Sequence, residues 1–197
     1  RVRTVKKIKS LGRKVSLDGE EYDFVVDCRG YPEDYSDYII SDKVYLDSAI
    51  AIRSYTPGDW EYTYHIARKH GWMFGLPLQS RTGWGYLYNS KLTSQLEAQD
   101  DVAKILEEYQ VEFHSKDCRE FSFKNYYAKS IVNEDGNIFV NGNRALFLEP
   151  IQATSLGCYG LINEMILDRI ENDRYDNENY RKIMTEVIAF INLHYYN

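Results

Sequence analysis

The chain has 197 residues, 44% hydrophobic and 27% charged, a balance that suits a globular protein with a buried core and argues against disorder. A formal net charge of −6 argues against broad nucleic-acid binding, and no apolar run approaches the roughly 18 residues needed to cross a bilayer. Three cysteines (Cys28, Cys118, Cys158) without CxxC spacing, and no signal peptide, argue against a disulfide framework or a zinc site and for a cytoplasmic protein.

In chain order, the first 14 residues carry Arg1, Arg3, Lys6, Lys7, Lys9, Arg13 and Lys14 with no acid, interleaved with Val2, Val5, Ile8 and Leu11. They read as a strand with a solvated charged face, or as a basic arm for phosphate. The sequence begins without Met and directly in strand-like residues, so a longer parent chain is expected. Lys14–Leu17 and Phe24–Val26 read as strands around an Asp18-Gly19 turn, the second apolar enough to be buried on both faces. Asp27-Cys28-Arg29-Gly30 then turns at the carboxyl end of that strand, where open α/β sheets bind ligands; an ordinary turn fits equally well. Lys43–Arg53 reads as strand, and residues 60–70 as strand or short helix. His65 and His70 have no Glu or Cys at ligand spacing, so they read as structural and no metal site is expected.

Gly71-Trp72-Met73-Phe74-Gly75-Leu76-Pro77-Leu78-Gln79 alternates with a period of two, which puts Trp72, Phe74 and Leu76 on one face of a strand. Pro77 should end that strand or stand at an edge. An aromatic stripe of this kind most simply packs in a core. A second strand follows from Arg81 to Ser90, with Gly83 and Gly85 flanking Trp84. Ser94-Gln95-Leu96-Glu97 is a capping-box pattern for a helix with a Val102, Ile105, Leu106 and Tyr109 stripe, ending near Gln110. Strands return at 120–124, 129–132 and 137–140, then an Asn141-Gly142-Asn143 turn and an apolar Ala145–Leu148. A helix capped by Thr154 or Ser155 carries Leu156, Tyr159, Ile162, Met165, Ile166 and Ile170, and a last helix carries Tyr180, Ile183, Met184, Val187 and Ile191.

The Asn141–Asn143 turn and the amides of Thr154 and Ser155 are two candidate anion sites, because free N–H groups and the helix dipole favour negative charge. Glu149 reads either as a partly buried carboxylate or as a turn-closing group. A Ser-His-Asp signature, HExxH, a Walker loop and GxGxxG are all absent. The residues alone imply an α+β (mixed α/β) module with an aromatic-lined cleft and a candidate anion site.

Three stretches together resemble the flavin-dependent halogenases of the tryptophan halogenase family. Gly71–Gln79 resembles the family's GWxWxIPLQ segment, Arg81–Tyr88 its RxGxGYVY strand, and Phe147-Leu148-Glu149-Pro150-Ile151-Gln152-Ala153-Thr154-Ser155 its FLEPLEST helix start. Leu46–Ile52 and Phe190–Tyr196 also resemble family segments, in the same order. The resemblance implies a flavin-monooxygenase-like fold, seen in part: residues 1–58 as the rest of an FAD-binding module, 59–150 as a substrate and tunnel sheet returning to the flavin, and 151–197 as C-terminal helices. It implies that reduced FAD, oxygen and bound halide yield hypohalous acid, which reaches a lysine beside an aromatic or other electron-rich substrate. A separate flavin reductase would supply the reduced FAD. No nucleic acid or membrane is expected as a partner, and an oligomer is left open.

Residue by residue, the resemblance implies that Trp72, Phe74 and Pro77 shape the space between flavin and substrate, with Gln152 near the reaction. It implies FAD contacts at Asp27, Gly30, Gly142, Phe147, Leu148, Glu149 and Pro150, and halide on the main-chain N–H groups of Thr154 and Ser155. The sequence departs from the family at five positions. Phe74 replaces the second Trp, Leu76 an Ile, Ala153 a Ser and Ser155 a Gly; Gln152 stands where many members have a Glu, and a Gln cannot take a proton. The family's GxGxxG loop and catalytic lysine would lie before residue 1, so these 197 residues alone are not expected to bind FAD tightly or to halogenate. A flavin hydroxylase and a non-catalytic binding protein of the same fold are the alternatives.

Overall fold

The computed structural model describes residues 5–195, so Arg1, Val2, Arg3 and Tyr196 of the expectations above lie outside the described residues. In chain order the elements are β1 (Ile8–Ser10), β2 (Val15–Leu17), β3 (Glu20–Tyr22), β4 (Val25–Asp27), β5 (Tyr38–Ile40), β6 (Ser48–Ser54), β7 (Tyr64–Ala67), β8 (Gly71–Leu78) and β9 (Arg81–Tyr88). Then follow α1 (Gln95–Glu108), β10 (Cys118–Ser122), β11 (Tyr126–Ala128), β12 (Ile138–Val140), β13 (Leu146–Phe147), α2 (Thr154–Asn172) and α3 (Asn177–Leu193). They form two compact units: Tyr45–Phe123, and the described residues before and after it. The sheet strands β6 and β10 pair with each other across most of the central segment and keep it together.

The central unit is a five-stranded antiparallel sheet, ordered β10-β6-β9-β8-β7, with α1 against one face. Helix α1 starts where the sequence says it should. Ser94 accepts from the Glu97 N–H, and the Glu97 carboxylate accepts from the Ser94 N–H at 2.8 Å, which satisfies two otherwise orphaned amides. Ala98, Val102, Ile105 and Leu106 bury against Ile50, Ile52, Met73, Trp84, Tyr86 and Tyr88. Polar groups fix the same contact. Asp101 accepts from Arg68 at 2.9 Å and from the Tyr86 hydroxyl at 2.7 Å, tying the β7–β8 connection and β9 to the helix.

The other unit holds the small sheets β1-β2-β3, β13-β11-β5 and β12-β4, with α2 and α3. Its core is built from Tyr127, Ile131, Phe139, Leu146 and Leu148 with Cys158, Ile162 and Ile166 of α2 and Tyr180, Met184, Ile188 and Ile191 of α3. Asp176 caps α3 through the amides of Glu178 and Asn179.

Four expectations are corrected. Phe24–Val26 is not a doubly buried strand: Val26 is 45% exposed, because β4 pairs only with β12, in parallel. The strand expected at 129–132 is β11, at 126–128, and Val132 keeps only an isolated bridge to Phe139. The strand expected at 43–53 is β6, beginning at Ser48. Leu156 is 70% exposed and does not belong to the buried stripe of α2.

Candidate active site

In the central unit, β8 and β9 form a hairpin closed by Gln79-Ser80, in register from Gly71↔Tyr88 to Leu78↔Arg81. The alternation of β8 holds, and its two faces have different neighbours. Met73 joins the core beneath α1, whereas Trp72, Phe74 and Leu76 lie on the opposite face. The Trp72 and Phe74 rings are 6.0 Å apart. Trp72 is 8% exposed and Leu76 39%, so burial falls away along this face. Trp72 is itself buried, as the simplest reading of the stripe as core packing has it, but the aromatics beneath α1 are Trp84, Tyr86 and Tyr88.

The glycines make this arrangement sterically feasible. Gly85 is directly opposite Phe74, and a Cβ on it would run into the Phe74 ring. Gly75 is directly opposite Trp84, and a Cβ on it would run into the Trp84 ring on the other face. Each glycine leaves room for an aromatic to lie across the strand, which is how bulky rings cover glycines in sheets. Pro77 pairs with Thr82, beyond the stretch of β8 that β7 covers, so its missing N–H interrupts no ladder on that side.

In the other unit, the turn after β4 is closed on itself. Asp27 accepts from Arg29 Nε at 2.9 Å and Arg29 Nη2 at 2.8 Å, and Arg144 approaches the same carboxylate at 3.5 Å. Burial pushes the Asp27 carboxyl up, but the hydrogen bonds and charge of Arg29, with the charge of Arg144, outweigh it and hold the group below the usual carboxylate range. Gly30 takes a φ of 88°, and Gly142 a φ of 60° with nothing within 4 Å of where a Cβ would stand. Asn141 holds the Gly142 turn: its Oδ1 accepts from the Gly142 N–H at 2.7 Å, and its Nδ2 donates to Asn163 Oδ1 at 2.6 Å. Tyr159 donates to Asn143 Oδ1 at 2.6 Å. The half-buried Phe147 meets the Tyr31 ring edge-on at 5.3 Å.

From Leu148 to Ser155 the chain makes a strained approach to α2. Gln152 and Ala153 both adopt left-handed backbone, at φ 55° and 51°, a conformation that costs non-glycine residues of order 1 kcal/mol each. Neither Thr154 nor Ser155 caps the helix, against expectation; the left-handed Ala153 occupies the cap position instead. The Thr154 hydroxyl donates to Ile151 O at 2.7 Å, and the Thr154 N–H also donates there. In this conformation the Thr154 amide is therefore engaged. Ser155 Oγ bridges back to Leu148, accepting from its N–H at 3.1 Å, which staples the loop. Gln152 and Pro150 are exposed.

The resemblance implies cofactor contacts at Leu148 and Glu149, but both side chains are buried, so they support the loop from behind. Glu149 is 0% exposed. Its N–H donates to Asn125 Oδ1 at 2.8 Å, its carboxyl accepts from the Tyr195 hydroxyl at 2.6 Å, and its Oε2 has no partner. Burial raises the carboxyl and the Tyr195 bond only partly offsets it, leaving the pKa at about 7. The supporting residues Asn125, Tyr159, Asn163 and Tyr195 carry no local sequence signal, because each acts on a loop distant in sequence. Among the described residues no group of three or more His, Cys, Asp or Glu could hold a metal, and no helix is long and apolar enough to cross a membrane.

An aromatic hairpin face and a strained helix start with left-handed Gln152 and Ala153 occur here in one mixed α/β chain, and the fold is that of the flavin-dependent halogenases, in part. The family model for tryptophan halogenase matches residues 3–197, and the chain belongs to that family. It is 27% identical over 155 residues to tryptophan 7-halogenase KtzQ of Kutzneria sp. (strain 744), covering 68% of this chain and 26% of KtzQ. It is 25% identical over 197 residues to tryptophan 7-halogenase RebH of Lentzea aerocolonigenes, covering 88% of this chain and 35% of RebH. The chain thus spans about a third or less of these relatives. Among solved structures it is similar to Xcc4156, a flavin-dependent halogenase from Xanthomonas campestris, with a TM-score of 0.69 and 24% identity over 97% of this chain and 42% of that one.

Proposed function

We propose that the protein containing this chain is a flavin-dependent halogenase acting on an aromatic or other electron-rich substrate. The observation that carries this reading is the face of β8: Trp72 and Phe74 stand together on the side of the sheet away from α1, in a chain of the tryptophan halogenase family. On that face the buried Trp72 backs the half-buried Phe74 and the exposed Leu76, an apolar wall that would shape the space between flavin and substrate.

The residues of the other unit fit FAD in two respects. The open space at Gly142 lets a ligand approach the backbone closely, and the exposed Pro150 follows the half-buried Phe147 on the same segment. Gly142, Phe147 and Pro150 would hold FAD, with Leu148 and Glu149 behind them and the Asp27–Gly30 turn as a further contact. Bound in reduced form, FAD would reduce oxygen to the peroxide level, the two-electron oxidant that turns halide into hypohalous acid, with the other oxygen leaving as water.

The chain's own residues would do three things. Trp72, Phe74 and Pro77 would orient the substrate and exclude water. The start of α2 would offer the halide the positive end of the helix dipole, with Ser155 and Thr154 as its nearest amides; the Thr154 N–H would have to leave Ile151 O to take part. Gln152 would donate or accept a hydrogen bond but hold no transferable proton. A separate flavin reductase would deliver the reduced cofactor.

The test is incubation of the full-length protein with reduced FAD, oxygen, bromide and tryptophan, the substrate named for KtzQ and RebH, followed by indole and phenol. Product mass decides. Bromine in place of hydrogen supports the reading; added oxygen points to a hydroxylase; absence of flavin binding refutes both enzymes and leaves a non-catalytic binding protein.

A further inference from the structure

We propose that Glu149 is a positioning residue for the halide site: uncharged, it leaves the positive end of α2 free to hold an anion, and ionised, it opposes the anion from behind. The inference rests on the reading of the α2 start as the place where halide binds.

Glu149 lies in a segment that is bound to that start on both sides. Before it, Leu148 exchanges two hydrogen bonds with the Ser155 hydroxyl, its N–H donating at 3.1 Å and its carbonyl accepting at 3.3 Å. After it, the Pro150 carbonyl accepts from the Ala153 N–H at 2.9 Å. The Glu149 backbone is thereby fixed against the first turn of α2, and its own N–H is tied to Asn125 Oδ1. The side chain is fully buried, and Oε2 meets no donor. Tyr195, beyond the end of α3, donates to the other oxygen at 2.6 Å and is the one titratable group that acts on the carboxyl among the described residues. Asn125, ahead of β11, and Ser155, on α2, are uncharged. No lysine, arginine or histidine among the described residues offsets a charge there. A buried carboxylate that serves stability is paired with a cation or fully hydrogen-bonded, and this one is neither.

The magnitudes decide the sign. The helix dipole puts about half a unit of positive charge at the start of α2. An ionised Glu149 puts a whole negative charge behind the same turn, in an interior where salt screens little. Halide and the ionised carboxyl therefore oppose one another, and halide and a proton favour each other's binding equally. Burial pushes the carboxyl up to about 7, so the exchange falls at neutral pH. Affinity for halide is full below that value and declines as pH rises through it. With one proton linked to one halide, the decline reaches about tenfold between pH 6 and pH 8.

The experiment titrates bromide into the full-length protein loaded with FAD, from pH 6 to pH 8, and reads the broadening of the bromide NMR line. Wild type should lose about tenfold in bromide affinity across that range. Glu149→Gln should hold the acid-side affinity throughout, within about twofold. Tyr195→Phe removes the hydrogen bond that favours the ionised carboxyl, so its decline should begin at higher pH than in wild type. A Glu149 that only props the loop would change the affinity by the same factor at every pH. A Glu149→Gln protein that keeps the wild-type pH dependence overturns the proposal, as does a wild-type affinity that does not vary with pH. The two ways of failing are distinct. If wild type binds bromide and both variants follow its pH curve, the halide site stands and only the role of Glu149 falls. If wild type binds no bromide at any pH, the halide site itself falls and the proposal with it.

Discussion

Replacing Glu149 with glutamine should make the chain's stability less dependent on pH, in a direction the structure fixes. The carboxyl is buried, its Oε2 has no partner, and its pKa rises from 4.5 to about 7. Because the folded-state pKa is the higher one, the folded protein keeps a proton that the unfolded chain releases between those two values. Stability therefore falls as pH rises from about 4.5 to about 7, and is flat on either side. At about 1.4 kcal/mol per pH unit the loss amounts to about 3 kcal/mol. The substituted side chain would mimic the protonated acid: its carbonyl would still accept from Tyr195, and its amide, like the acid O–H, would face a site with no acceptor. Glu149→Gln should thus match wild type near pH 4.5 and exceed it by about 3 kcal/mol at pH 8. Urea unfolding of both proteins from pH 4.5 to 8 measures the difference. A difference that does not change with pH, or that favours wild type at high pH, refutes the reasoning.

Ala153→Gly should stabilise the protein by about 1 kcal/mol, since Ala153 holds a φ of 51° that glycine adopts freely, and thermal unfolding checks this. Gly85→Ala should cost about 1–3 kcal/mol by driving a methyl into the Phe74 ring, and a displaced Phe74 resonance in the NMR spectrum should accompany the loss. Asp101→Ala leaves the buried Tyr86 hydroxyl without its acceptor and Arg68 with only its 3.5 Å contact to Glu108, and should cost about 1–3 kcal/mol, read from urea unfolding.

What the sequence made legible was local. The capping box of α1, the Asp18-Gly19 turn and the β8–β9 hairpin lie within a few residues of the signals that announce them. What stayed hidden depended on neighbours distant in the chain. Alternation says that Trp72 and Phe74 share a face, but not that α1 would settle on the other one. The apolar run at Phe24–Val26 looks like a buried strand because composition does not count the strands beside it. The start of α2 misled for a different reason. Thr154 and Ser155 are good caps by residue type, yet Gln152 and Ala153 take left-handed backbone with no glycine to announce it, and the hydroxyls turn back to Ile151 and Leu148. Glu149 was visible as a carboxylate before a proline, but its partner Tyr195 is 46 residues away and gives no local signal.

The most direct measurement of the central claim is product formation by the full-length protein as a function of bromide concentration, at fixed oxygen, reduced FAD and tryptophan. The account predicts brominated product that appears only with bromide and saturates as bromide rises. An oxygenated product forming at the same rate with and without bromide would contradict it.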